Sequence, residues 1–229
     1  MYIDGEIVTD EWEDSDTSAA GFRDALKSLG DVKEINLHIN SPGGSVFEGI
    51  AIYNMLKQHK AKVNIYVDAL AASIASVIAM SGDAIFMPSN SMMMIHNPAT
   101  IAIGDSEEMK KAVKMLDEVK ESIMNAYEIK TDLARDKISK LMDAESWLNA
   151  KKAVELGFAD KILFADGQGD VTDDAGEGMA VSDEMSAPVM FSRQAVMNSM
   201  LSKLIPPKKP VEKRTPVDQL EKRLRLLSH

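Results

Sequence analysis

The sequence has no cysteine. That removes disulfide staples, thiolate metal sites, iron–sulfur clusters and a cysteine nucleophile, and it fits a reducing compartment. Basic residues are outnumbered: 26 Lys and Arg stand against 36 Asp and Glu, a formal net charge of −10. So acidic a chain is a poor partner for a phosphate backbone, and no nucleic-acid role is expected. Long apolar runs are missing as well. The longest nearly apolar stretch, residues 69–80, contains Ser73 and Ser76 and falls short of the roughly 20 residues of a spanning helix. The acidic N-terminus carries no signal-peptide pattern. A soluble, cytoplasmic protein without membrane contact is expected. What is present is a chain of 229 residues, 45% of them hydrophobic, enough for one large domain or two small ones.

Residues 2–164 alternate strand-like and helix-like segments. Strands are expected at 2–8, 34–40, 62–67, 84–87, 92–96 and 161–164, where β-branched and apolar residues alternate with polar ones or form short runs. Helices are expected at 17–29, 45–57, 71–80, 136–142 and 150–156 from apolar residues at helical spacing. Ser41-Pro42-Gly43-Gly44 is expected to end the second strand, and a short turn after Asp68 the third. Strand–helix–strand order at this spacing predicts an α/β domain with parallel strands joined by crossover helices.

A longer helix is expected over 106–127. Met109, Val113, Leu116, Val119, Ile123 and Tyr127 form one stripe, and Asp105 or Ser106 can cap its start. At about 30 Å it is long for this domain. It either projects toward a partner subunit or packs as a core helix.

Composition then changes. Residues 165–192 read as an acidic flexible linker, with no Lys or Arg between Asp166 and Glu184. Residues 193–229 form a basic tail. Thr215-Pro216 there opens a short terminal helix carrying Leu220, Leu224 and Leu227 on one face.

Without cysteine, a nucleophile would be Ser, Thr or Lys. Of the four histidines, His96 stands apart. It closes the run Met92–Ile95 and precedes Asn97-Pro98, so it mounts at a strand end. Ser73 stands at a strand-to-helix corner among small residues, where unpaired N–H groups favour developing negative charge. The Ser41-Pro42-Gly43-Gly44-Ser45 loop exposes backbone N–H groups that could hold an oxyanion or pair with an extended peptide. It lacks the Lys of a phosphate loop. Alone, each feature also fits a purely structural role: a packed histidine, a helix cap, an ordinary turn.

Together they occur in a recognisable order. Ile39-Asn40-Ser41-Pro42-Gly43-Gly44-Ser45 is followed by Ile50-Ala51-Ile52-Tyr53 and Ala71-Ala72-Ser73. Met94-Ile95-His96-Asn97-Pro98 comes next, then Ala153-Val154-Glu155-Leu156-Gly157-Phe158-Ala159-Asp160. Over residues 2–164 this resembles the Clp serine proteases (ClpP), and within them the ClpP-like head-maturation (prohead) proteases of tailed phages and prophages. The resemblance implies a crotonase-like fold of repeated β-β-α units with a projecting handle helix, here 106–127, and a C-terminal extension outside the pattern. It implies a protease domain over 1–164.

It also implies a serine endopeptidase with Ser73 as nucleophile and His96 as general base. Gly44 and Ile74 would be the oxyanion-hole donors, with Gly43 and Asn97 beside the substrate. The third triad member falls just before Trp147-Leu148, where Glu145 stands in place of the family's usual Asp; Asp143, two residues earlier, is the alternative. No metal or cofactor is implied. The implied partners are a protein or peptide substrate, other copies in a ring of six or seven subunits, single or stacked, and a capsid or scaffold protein processed during phage head maturation in the host cytoplasm. The chain starts close to the first core strand, so the axial segment of Clp proteases is expected to be largely missing, which counts against dependence on an unfoldase ATPase.

Other readings stay open. The chain could be a non-catalytic ring or assembly component, or a general ATPase-assisted Clp subunit. An acyl-CoA enzyme of the same fold would not need the Ser73–His96 pair, and no basic adenine-phosphate site is visible in the core. For a Ser–Lys dyad, Lys33 and Lys62 are poorly placed.

Overall fold

The computed structural model describes residues 1–11 and 13–164. The expected acidic linker (165–192) and basic tail (193–229) lie outside the described residues. Two long strands organise the fold: β2 (Glu34–Gly44) and β3 (Lys62–Ala72). Alternate residues of β2, among them Ile35, Leu37, Ile39 and Ser41, are buried. In β3 the consecutive Val63, Asn64 and Ile65 are all buried, the mark of a strand covered on both faces.

Around them run β1 (Tyr2–Ile7), β4 (Ala84–Pro88), β5 (Met92–Ile95), β6 (Ser146–Asn149) and β7 (Lys161–Leu163). The sheet order is β1-β2-β3-β4-β7, all parallel. β3 shares one edge between two partners. Its first half pairs with β4 (Asn64↔Ala84) and its last residues with β5 (Ala72↔Met94). β6 closes antiparallel on β5. The parallel pairs are linked by α1 (Ala19–Ser28), α2 (Val46–Gln58) and α3 (Ile74–Ala79), in keeping with the expected α/β class.

Three expectations need correction. β2 does not end before Ser41; it runs through Pro42 to Gly44 and pairs with β1 as Glu6↔Gly43 and Ile7↔Gly44. The register slips between Asp4 and Glu6. Pro42 falls in that irregularity, where its missing N–H deprives no ladder bond. β3 likewise passes Asp68 and continues to Ala72, with a register shift against β2 between Ile39 and Ser41. A bulge bends the strand there without ending it, so α3 opens at Ile74, later than expected. Finally, β6 lies in a segment that the sequence pattern left without structure. Its four residues are too few to show alternation, and pairing with β5 holds them extended.

The long helix is α4 (Ser106–Thr131), 26 residues and about 39 Å. The Asp105 carboxylate accepts from the Glu107 and Glu108 N–H groups and caps it. Burial is confined to its C-terminal part: Ile123, Met124, Ala126, Tyr127 and Thr131. Farther up, Val113 is 58% and Met115 42% exposed. The helix is both a core helix at one end and a projecting arm at the other. α5 (Arg135–Asp143) and α6 (Ala150–Glu155) complete the described chain. Among the described residues no helix is long and apolar enough to cross a membrane.

Candidate active site

The last residues of β3 pair with β5, and the chain must then turn sharply into α3. Ser73 makes that turn, with φ +55° and ψ −127°. A non-glycine residue holds such a conformation only when its surroundings impose it. The Ser73 N–H donates to the Met94 carbonyl at 2.9 Å, and the Ser73 carbonyl accepts from the Ser76 N–H at 3.0 Å. The Ser73 side chain does not cap the helix. Its Oγ lies 2.8 Å from His96 Nε2. The strained corner thus turns the hydroxyl to the imidazole instead of to the helix N–H groups.

His96 follows β5 directly. Ile95 is opposite Ser146 in the β5–β6 ladder. The ladder ends at that pair, and Glu145 lies in the turn just before β6. Glu145 forms the α5–β6 corner with φ +48°, its N–H donating to the Met142 carbonyl at 3.1 Å. Asp143 is turned elsewhere. Its Oδ1 accepts from Asn97 Nδ2 at 2.8 Å and from Lys120 Nζ at 2.7 Å. The Lys120 bond first, then the Asn97 bond, holds its carboxyl below the usual aspartate range.

The two glycines of β2 face different neighbours. A Cβ on Gly43 would stand 2.7 Å from Ser73 Cβ, 2.8 Å from the Ala72 carbonyl oxygen and 3.2 Å from the Ile74 nitrogen. Only bare backbone fits beside the serine. The Gly43 N–H is engaged by Ser41 Oγ at 3.1 Å. Gly44, at φ +145°, presses against the Ile7 carbonyl of β1. Ser45 N–H donates to that same carbonyl at 2.7 Å, and Ile7 is the register partner of Gly44. In a parallel rung of this kind the partner's own N–H faces the other edge. For Gly44 that edge is the β3 side, where the chain turns away at Ser73. Ile74 opens α3, and the first N–H groups of a helix have no carbonyl of their own turn to bond. Its side chain packs against Gly49 of α2, where a Cβ would collide with Ile74 Cγ1.

The arrangement can therefore deprotonate a hydroxyl and offer backbone N–H groups to a developing oxyanion. Ser73, His96, Gly43 and Ile74 come together; Asn97 sits beside them, tied to Asp143. Two residues of this region escaped the sequence reading. Ser76 and Tyr127 join at 2.7 Å in the buried space behind Ser73, and 51 positions in sequence separate them. Also unforeseen is a stacked row of rings across four strands: Tyr2, His38, Tyr66 and Phe86, at centroid spacings of 4.9 to 5.0 Å. His38 Nδ1 lies 2.9 Å from an Asp68 carboxylate oxygen, which gives that histidine a place on the sheet surface and not in the site.

The chain is similar to known proteins over most of its described length. The Clp protease family model matches residues 14–166. An ATP-dependent Clp protease proteolytic subunit of Leuconostoc citreum is 32% identical over 167 residues, covering 71% of this chain and 84% of the relative. The ATP-dependent Clp protease proteolytic subunit 2 of Treponema denticola is 35% identical over 139 residues, 60% of this chain and 70% of the relative. A Deinococcus radiodurans ATP-dependent Clp protease proteolytic subunit is 29% identical over 141 residues, 60% of this chain and 69% of the relative. With the match extending from the first helix to the last described strand, the chain belongs to the Clp protease family of serine peptidases.

Proposed function

We propose that this chain is a serine endopeptidase in which Ser73, His96 and Glu145 form the catalytic triad. The observation that carries the reading is the 2.8 Å bond between Ser73 Oγ and His96 Nε2. His96 Nε2 takes the hydroxyl proton as Oγ bonds to the scissile carbonyl carbon. The tetrahedral oxyanion is held by the N–H groups of Gly44 and Ile74. His96 then gives the proton to the leaving amine as the C–N bond breaks, and water, activated by the same imidazole, releases the acyl group from Ser73. Glu145 orients the imidazole and stabilises its cationic form. Its position one residue before the Ile95–Ser146 pair supports it over Asp143, whose carboxylate is engaged by Asn97 and Lys120. The substrate lies extended between Gly43 and Asn97.

Labelling with a fluorophosphonate, followed by mass spectrometry of the modified peptide, tests this. The adduct is expected on Ser73 and is expected to vanish in Ser73→Ala together with peptide hydrolysis. Labelling or hydrolysis that survives Ser73→Ala sinks the reading.

The active form in this reading is a homo-oligomeric ring of six or seven subunits, single or stacked. The exposed Val113 and Met115 on the projecting part of α4 support it, and analytical ultracentrifugation tests it. As substrate we propose capsid or scaffold proteins of a phage head, cleaved in the host cytoplasm. The family match ends at residue 166, and the acidic and then basic stretch beyond it suits attachment to an assembling shell. Co-expression with head-assembly proteins, with Ser73→Ala as control, would reveal their cleavage. The relatives, named as ATP-dependent Clp protease proteolytic subunits, favour a second reading, a proteolytic subunit that works with an ATPase. ATP-dependent breakdown of a folded substrate in the presence of a Clp unfoldase would select it.

A further inference from the structure

Behind the nucleophile lies a short chain of hydrogen bonds with no exposed member. Ser76 is fully buried, three residues past the nucleophile in α3. Its Oγ donates to the Ser73 carbonyl at 2.6 Å. A carbonyl oxygen only accepts, so the one hydroxyl proton of Ser76 is committed there. The phenol of Tyr127, 2.7 Å from the same Oγ, must then be the donor of the second bond. The polarity is fixed: Tyr127 O–H to Ser76, Ser76 O–H to the Ser73 carbonyl. Tyr127 is itself held firmly, 1% exposed, edge-on to Phe158 at a centroid distance of 5.5 Å. Burial pushes its phenol well above the usual tyrosine range, which keeps it a protonated donor.

The Ser73 carbonyl is one end of a peptide plane whose other end is the Ile74 N–H. No peptide bond of the described chain is cis, so the two groups point in opposite directions. Whatever holds the carbonyl therefore aims the N–H. We propose that Tyr127 and Ser76 are positioning residues for the oxyanion donor: their relay locks the 73–74 peptide plane and polarises it, so that the Ile74 N–H meets the oxyanion as a fixed and strengthened donor. The inference rests on the reading of Ile74 as an oxyanion donor. A carbonyl that accepts two bonds draws electron density from its amide nitrogen, and bonds in a buried chain reinforce one another. A plane fixed in advance needs no reorganisation when charge develops. The left-handed φ of Ser73 makes this restraint matter, because the strained corner would otherwise relax by rotating that plane.

The test uses the full chain, a fluorogenic peptide that it cleaves, and a peptide aldehyde. The aldehyde's hemiacetal with Ser73 carries an oxygen in the position of the oxyanion. Tyr127→Phe, which removes a single oxygen atom, is expected to lower kcat about 3- to 10-fold while KM stays unchanged. Affinity for the aldehyde is expected to fall by the same factor. In a Ser76→Ala background, Tyr127→Phe is expected to have no further effect, since Tyr127 acts only through Ser76. Should Ser76→Ala fail to fold, the aldehyde and kcat comparison on Tyr127→Phe decides alone. An unchanged kcat, a loss confined to KM, or an equal loss with and without Ser76 overturns the relay. A wild-type protein that neither hydrolyses peptides nor binds the aldehyde overturns the peptidase reading and the relay together. An active wild type with indifferent variants overturns the relay only.

Discussion

Asn97, the residue after His96, donates its side-chain amide to Asp143 at 2.8 Å. The same carboxylate accepts from Lys120 of α4 at 2.7 Å. The segment leaving the imidazole is thereby fastened to the long helix, and Asp143 has a task of its own. Two carboxylates near one histidine then separate by role. Glu145→Gln is expected to reduce kcat by about 10²- to 10⁴-fold, as loss of the orienting carboxylate does in a triad. Asp143→Asn, which keeps the shape, is expected to cost less than about 10-fold, because it reaches the imidazole only through Asn97. Steady-state kinetics on the two variants checks this, and the reverse order would exchange their roles.

Asp143 also carries a pH signature. Its carboxyl is depressed below the ordinary aspartate range, through Lys120 first and Asn97 next. A folded value below the unfolded one means that the contribution to stability is fully present above the unfolded pKa. It is lost as pH falls through the folded value. The difference in Tm between wild type and Asp143→Asn is therefore expected to be present at neutral pH and to close below about pH 4. The carboxylate is 53% exposed, so the difference should be small and should shrink with added salt. A gap that is constant down to pH 2 contradicts the assignment.

The backbone at Ser73 predicts a conflict between stability and activity. With φ +55° and ψ −127°, the position suits glycine. Ser73→Gly is expected to be more stable than Ser73→Ala by about 1–3 kcal/mol, and both are expected to be inactive. Denaturant unfolding of the two proteins measures it. Equal stability would mean that the corner is not strained.

The paired glycines should fail in different ways. Gly43→Ala drives a methyl toward Ser73 Cβ, the Ala72 carbonyl oxygen and the Ile74 nitrogen at a φ of +97°, so it is expected to abolish acylation as well as to lower stability. Gly44→Ala drives a methyl into the Ile7 carbonyl of β1, so it is expected to disturb the β1–β2 pairing and lower Tm by several degrees. Parallel measurement of fluorophosphonate labelling rate and Tm separates the two; identical behaviour would refute the distinction.

Local signals exposed much of this fold and stopped where tertiary pairing takes over. The helical spacing of apolar residues over 17–29 and the stripe of α4 are written in a few consecutive residues and mean the same in any context. The extension of β2 through Ser41-Pro42-Gly43-Gly44 is not, because proline and glycine there speak locally for a turn. Only β1 on one side and β3 on the other hold the chain extended. β6 has the same origin: four residues made a strand by β5. At the site, Ser73 and His96 were nameable because each sits at an element boundary with unusual neighbours. Their 2.8 Å contact was not, since it depends on β3 and β5 ending side by side. Ser76 and Tyr127 looked like ordinary helix residues, and nothing short of the packing of α3 against α4 brings them together.

The pairing of β5 has a bearing on which edits the gene would tolerate. The strand is only Met92–Ile95, with one neighbour on each side, and side chains along it alternate between the two faces. Losing one codon inside it would leave every candidate catalytic group encoded, yet swing the ring of His96 to the far face of the sheet. Extra codons in the exposed 99–105 connection would carry no such penalty. A survey of single-codon deletions and insertions should therefore show an abrupt boundary of tolerance between the end of β5 and that connection.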